Sequence, residues 1–121
     1  MANFSFFILY VRDVAISEAF YTDLLGRPAV QSGPGFSMFA ASPGVMLGLW
    51  RQGDVAPKAT TPGGGETCIT VDTQAEVEAM AEAWAAKGVP IAQTPTQMVF
   101  GYTFVGLDPD GHRLRVFMPA R

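Results

Sequence analysis

Apolar residues run almost without a break over residues 3–11. That is the pattern of a strand covered on both faces. Asp13 stands where a helix cap belongs, and Ile16, Phe20 and Leu24 recur every four residues behind it. The spacing predicts a helix over 14–25 with those three side chains as its buried stripe, closed by Gly26 and Pro28. Three short strands are expected at 29–32, 36–41 and 45–51. Gly33-Pro34-Gly35 and Ser42-Pro43-Gly44 separate them as tight turns. Residues 52–65 have no apolar period and contain Pro57, Pro62 and three consecutive glycines, so they read as an exposed linker.

The pattern then repeats. A strand is predicted at 66–71. Thr73 opens a helix with Glu76 three residues on, a capping-box spacing. Val77, Met80, Ala81 and Trp84 form its apolar face, and Gly88 ends it. Strands are expected at 91–94, 102–107 and 113–118, with Asp108-Pro109-Asp110-Gly111 as the turn between the last two. The chain therefore reads as one domain, 1–121, made of module 1–51, linker 52–65 and module 66–121. Each module follows the order βαβββ, an internal repeat of architecture more than of sequence.

Composition narrows the function classes. The 121 residues are 49% apolar and 16% charged, with a net charge of −3. A core is affordable, and no basic run marks a nucleic-acid surface. One cysteine permits neither an internal disulfide nor a multi-cysteine metal site. The longest apolar run, six residues, is too short to cross a bilayer. A cytoplasmic protein with no membrane partner is the expectation.

The repeated βαβββ order resembles the vicinal-oxygen-chelate superfamily, the glyoxalase, bleomycin-resistance and extradiol-dioxygenase group. Val11-Arg12-Asp13, Phe20-Tyr21 and Leu24-Leu25-Gly26 match that family's opening, and Asp108-Pro109-Asp110-Gly111-His112 its approach to the last strand. The resemblance implies an α+β fold in which two modules form a cupped, eight-stranded mixed sheet with helices on its outer face. Strand alternation then points Phe6, Ile8, Tyr10, Met46, Gly48 and Trp50 into the cup. Glu66, Cys68, Thr70, Arg113, Arg115 and Phe117 follow them inward, while Phe7, Leu9, Val11, Val45, Leu47 and Leu49 turn outward.

Enzymes of the superfamily hold a divalent metal at four cup-facing positions. Counted from the two motifs, these fall on Phe6, Gly48, Glu66 and Arg115. Only Glu66 can ligate, since Phe and Gly offer no donor and Arg is a permanent cation. No metal and no cofactor is therefore expected. Glu66 and Arg115 are expected to form a fork, either as a self-neutralising pair or as a ligand-binding one. His112 is expected to serve the turn. Cys68 reads as a small filler, and Trp84 as packing.

The fourth strand ending in Trp50, together with Glu66, Gly101, the DPDGH turn and Arg115, resembles the phenazine-antibiotic resistance branch of this family. That branch comprises metal-free binders that stack a flat antibiotic on a tryptophan, often at a homodimer interface. The expected activity is sequestration of a planar aromatic small molecule by Trp50, Glu66, Arg115, Phe6, Met46, Gly48, Phe100 and Tyr102, with no catalytic residue and a homodimer as the assembly. The alternatives are a glyoxalase-like lyase or other enzyme using Glu66 as general base, and a structural, dimerising module with a filled cup.

Overall fold

A computed structural model describes residues 3–61 and 63–120. The chain divides into two compact units, Met1–Thr61 and Pro62–Arg121. The division falls inside the expected linker, whose Pro62 lies outside the described residues.

In the first unit, β1 (Phe6–Val11) is followed by α1 (Val14–Leu25), β2 (Phe36–Ser42) and β3 (Val45–Arg51). The strands form one mixed sheet in the order β1-β3-β2, with β1 parallel and β2 antiparallel to β3. The Asp13 carboxylate accepts from the Ile16 amide and caps α1 as its position predicts. The buried stripe of α1 differs from the expected one. Val14, Ser17 and Tyr21 are buried, while Ile16 is 58% exposed. A serine holds the centre of the core face, so an apolar period was a misleading guide. Ser17 and Ser37 are both fully buried, and Ser37 and Ser32 both donate to the Glu18 carboxylate of α1.

The expected strand at 29–32 does not form. Only the Gln31–Met38 bridge remains of it. Pro28 and the Gly33-Pro34-Gly35 turn leave too few residues for a ladder. Residues 52–65 begin with a 3₁₀ turn at Gln52–Asp54 and bury Val55, a core contribution that the linker pattern did not reveal.

In the second unit, β4 (Glu66–Thr70) is followed by α2 (Gln74–Ala86), β5 (Ile91–Met98), β6 (Gly101–Leu107) and β7 (Arg113–Pro119). The order is β4-β7-β6-β5, with β4 parallel to β7 and the other pairs antiparallel. Thr73 caps α2 by accepting from the Glu76 amide, and its hydroxyl bonds the Glu76 carboxylate, completing the capping box. Val77, Ala81 and Trp84 are buried, as the helical spacing predicts. β5 outruns its expected end at 94 and reaches Met98 as an edge strand. Pro95 is accommodated where the register slips between Gln93 and Thr96.

The class is α+β, with one helix against one sheet in each unit; the second unit follows the full βαβββ plan and the first is βαββ. The described strands number seven, in sheets of three and four, rather than the eight expected in a single sheet. The missing one is the 29–32 segment.

Candidate functional site

Register decides which side chains share a face. In the first sheet, Phe6, Ile8 and Tyr10 stand opposite Met46, Gly48 and Trp50, and these face Ala40, Met38 and Phe36 in turn. The helix lies on the other side, where Tyr21 of α1 meets Phe39 at 6.5 Å between ring centres. The helix-free face therefore carries nine side-chain positions with no charged group and one hydroxyl, that of Tyr10. Tyr10 is 42% exposed, and its ring meets Trp50 edge-on at 6.3 Å and 76°. Trp50 is half-buried. The two rings form a corner in which both residues stay partly exposed, geometry that favours a further stacked ring.

Gly48 sits at the middle of this face. A Cβ there would come within 2.8 Å of ring carbons of both Phe6 and Phe36. The space that a side chain would take at Gly48 is filled by these two phenyl rings. Phe6 remains 40% exposed, so the rings form a floor rather than an enclosed core. Met46 is half-buried on the same face.

The second sheet presents a different surface. Cys68 stands opposite Arg115, Glu66 opposite Arg113 and Thr70 opposite Phe117. Thr103 and Val105 of β6 join the same face, and α2 covers the other one through Trp84 against Phe104 at 5.0 Å. Arg115 is the centre of the polar group. Its Nε donates to Glu66 Oε1 at 2.7 Å and its Nη2 to Glu66 Oε2 at 3.2 Å. Its Nη1 donates to Gln93 Oε1 at 3.0 Å and to Thr103 Oγ1 at 3.2 Å. One guanidinium thus ties β4, β5, β6 and β7 together. The expected Glu66–Arg115 fork is present, with side chains only 15% and 30% exposed. Gln93 and Thr103 were not singled out in the sequence. A buried threonine in a strand carries no mark that distinguishes it from a solvent-facing one.

Phe100, in the turn between β5 and β6, lies over the same guanidinium at 5.4 Å and meets Phe117 edge-on at 5.9 Å. It stays 43% exposed. Gly101 makes that turn possible. Its φ of 149° disfavours a side chain, and a Cβ would collide with the Met118 carbonyl oxygen. Tyr102 requires a correction. Its hydroxyl donates to Glu78 of α2 at 3.0 Å, so it stands on the helix side, opposite in direction to Thr103. Period-two alternation sends neighbours 102 and 103 to opposite faces. Burial and the Glu78 carboxylate raise the Tyr102 phenol above its usual range.

Cys68 lies beside the fork and is exposed rather than a filler. Desolvation first, and the Glu66 charge second, raise its thiol above the ordinary range against a smaller opposing pull from Arg115. The surroundings therefore suppress the thiolate rather than activate it. Asp108 organises the last turn: its carboxylate accepts from the amides of Asp110 and His112 at 2.9 and 2.8 Å.

A model of the Glyoxalase/Bleomycin resistance protein/Dioxygenase superfamily matches residues 3–116. The chain belongs to that superfamily. A curated relative, the phenazine antibiotic resistance protein EhpR of Enterobacter agglomerans, is 30% identical over 112 residues, covering 90% of this chain and 86% of the relative. Among solved structures, protein ATC0852 of Agrobacterium tumefaciens is 46% identical with a TM-score of 0.92, and the match covers 100% of both chains. A glyoxalase-related enzyme from Fulvimarina pelagi shares the fold at a TM-score of 0.85 and 22% identity, over 98% of this chain and 88% of that one.

The positions that the resemblance assigns to metal ligands, Phe6, Gly48, Glu66 and Arg115, carry a donor set that does not fit an ion. Phe6 brings a ring to the space at Gly48, and Arg115 brings a cation that already occupies both oxygens of Glu66. Among the described residues no three His, Cys, Asp or Glu side chains group to hold a metal. No described helix is long and apolar enough to cross a membrane.

Proposed function

We propose that this protein binds and sequesters a planar aromatic small molecule, an antibiotic of the phenazine type, and so confers resistance without altering it. The observation that carries the reading is the helix-free face of the first sheet. It is uncharged, aromatic and open, with the Tyr10–Trp50 corner above a floor of Phe6, Phe36 and Met46. Such surfaces are what flat apolar ligands select. The likeness to a phenazine antibiotic resistance protein over most of both chains supports the same ligand class.

Trp50, Phe6 and Met46 are the stacking and wall residues of the first sheet in this reading, and Phe100 is the exposed ring of the second. Gly48 serves by letting the floor rings close beneath. Glu66 and Arg115 hold the second sheet in shape beside Phe100. Association into a homodimer belongs to the proposal: Phe6, Phe7 and Ile8 are consecutive, apolar and each at least 40% exposed on β1, whose only ladder partner among the described strands is β3.

The competing reading, an enzyme with Glu66 as general base, needs a carboxylate free to take a proton. Both Glu66 oxygens already accept from Arg115. Incubation with phenazine, followed by denaturation and mass spectrometry of the released ligand, separates the two. Sequestration predicts binding near one ligand per chain and recovery of unchanged phenazine. Conversion of the ligand, lost in Glu66→Gln, would overturn it.

A further inference from the structure

The fork has a consequence for which cation can meet an acidic ligand. Four of the five N–H groups of Arg115 are already donated within the second sheet. One side of its plane is occupied by Phe100. Arg115 is therefore spent as an anion receptor. Arg113 stands two residues earlier on the same strand and the same face, and it is exposed. It lines an open cavity of about 460 Å³ together with Gly63, Gly64, Gly65, Glu66, Gly111 and His112.

The loops that form this cavity precede two parallel neighbours, β4 and β7. Three successive glycines line one wall with backbone alone. Gly63 and Gly64 have φ of 137° and 81°, and a Cβ on any of the three would meet nothing within 4 Å. A small group can therefore approach the peptide units of this loop directly. Glu66 contributes the one carboxylate to the lining, and its charge is compensated by the two-point contact with Arg115. His112 adds an imidazole, and its amide is held by Asp108. Arg113 is thus the one permanent cation of the lining, and the carboxylate beside it is already engaged by Arg115.

We infer that Arg113 and the Gly63–Gly65 loop form a subsite for a small oxyanion, the carboxylate of an aromatic acid. This rests on the proposed binding of planar aromatics only for the identity of the attached ring. The scale agrees with such a ligand. Residues 113 and 117 on one strand are separated by about 13 Å at the usual rise, with Arg115 and its Phe100 ring between them. A flat acid resting on Phe100 has its carboxylate within reach of Arg113.

The subsite is tested without an aromatic ligand by titrating the ¹⁵N-labelled protein with sodium acetate and, separately, with sodium chloride at matched ionic strength. The expected result is saturable movement of the Gly63, Gly64 and Gly65 amide signals in the millimolar range with acetate, absent in Arg113→Gln. An exposed cation supports no tighter binding of an isolated anion. Equal movement with both salts, or an unchanged acetate response in Arg113→Gln, would overturn the subsite, whatever the protein does with aromatics. The second arm compares phenazine-1-carboxylate with phenazine. The acid should bind about tenfold more tightly at low salt, an advantage lost in Arg113→Gln and at high ionic strength. Equal affinities in the wild type would overturn the link between subsite and ligand. Binding of neither compound, with the acetate response intact, would sink the aromatic reading and leave the subsite supported.

Discussion

The two units share a strand–helix–strands order, one strand shorter in the first, and little else on the faces their helices leave open. The first sheet offers Phe6, Ile8, Tyr10, Phe36, Met38, Met46 and Trp50, with one hydroxyl and no charge. At the corresponding place the second sheet offers Glu66, Cys68, Gln93, Thr103, Arg113 and Arg115. The first face is held together by ring contacts that leave aromatic surface unused. The second is held by directed bonds that use four of the five donors of Arg115 and leave Arg113 exposed beside them. The same backbone plan thus supports an adhesive apolar surface in one case and a satisfied polar lattice in the other. Which surface binds a ligand, and with what part of it, follows from what each leaves unspent.

The comparison breaks most visibly at Arg115. Arg115→Ala strips the fork from Glu66 and removes the donors to Gln93 and Thr103. The expected cost is about 2–3 kcal/mol of stability, read as a lower urea midpoint at unchanged slope. A loss below ~0.5 kcal/mol would show that the lattice is ornamental. Next comes Gly48→Val, which forces a branched side chain between the Phe6 and Phe36 rings. Overpacking of this kind costs about 1–3 kcal/mol and should disturb the first face while leaving the signals of Glu66 and Arg115 unmoved. Glu66→Gln is gentler, because an amide oxygen still accepts from Arg115. A loss of about 1 kcal/mol, equal with and without bound phenazine, is the outcome expected of a residue that shapes the sheet. A larger loss with phenazine present would make Glu66 a direct ligand contact. Tyr102→Phe removes one exposed bond to Glu78 and should cost ~0.5 kcal/mol with no change in phenazine affinity. Weaker phenazine binding would return Tyr102 to the ligand surface.

The fold was legible where local chemistry and periodicity agree. The Asp13 and Thr73 caps, the bounds of α1, β3 and the buried face of α2 all follow from spacing. Legibility failed where a polar residue took a core position, as at Ser17 and at Ser37, whose burial is compensated by Glu18, nineteen residues away in sequence. It failed again at 29–32, where strand-forming residues are cut short by turn chemistry on both sides. The candidate site was half legible. Alternation placed Trp50, Glu66 and Arg115 on helix-free faces and anticipated the fork. It could not show that the fork extends to Gln93 and Thr103, since those bonds join strands brought together only by the sheet. Nor could it show that two rings occupy the space at Gly48. Tyr102, expected at the ligand surface, is turned by strand alternation toward α2, where its hydroxyl meets Glu78.

The central claim is that the open aromatic corner of the first sheet takes a flat ligand. Trp84 is buried against Phe104, so Trp50 is the tryptophan placed to respond. Phenazine titration followed by tryptophan fluorescence, in the wild type and in Trp50→Phe, measures this directly. The account predicts saturable quenching in the micromolar range or tighter, with affinity about tenfold weaker in Trp50→Phe by a readout that does not use fluorescence, such as equilibrium dialysis. Absence of saturable quenching in the wild type, or undiminished affinity in the variant, would contradict it.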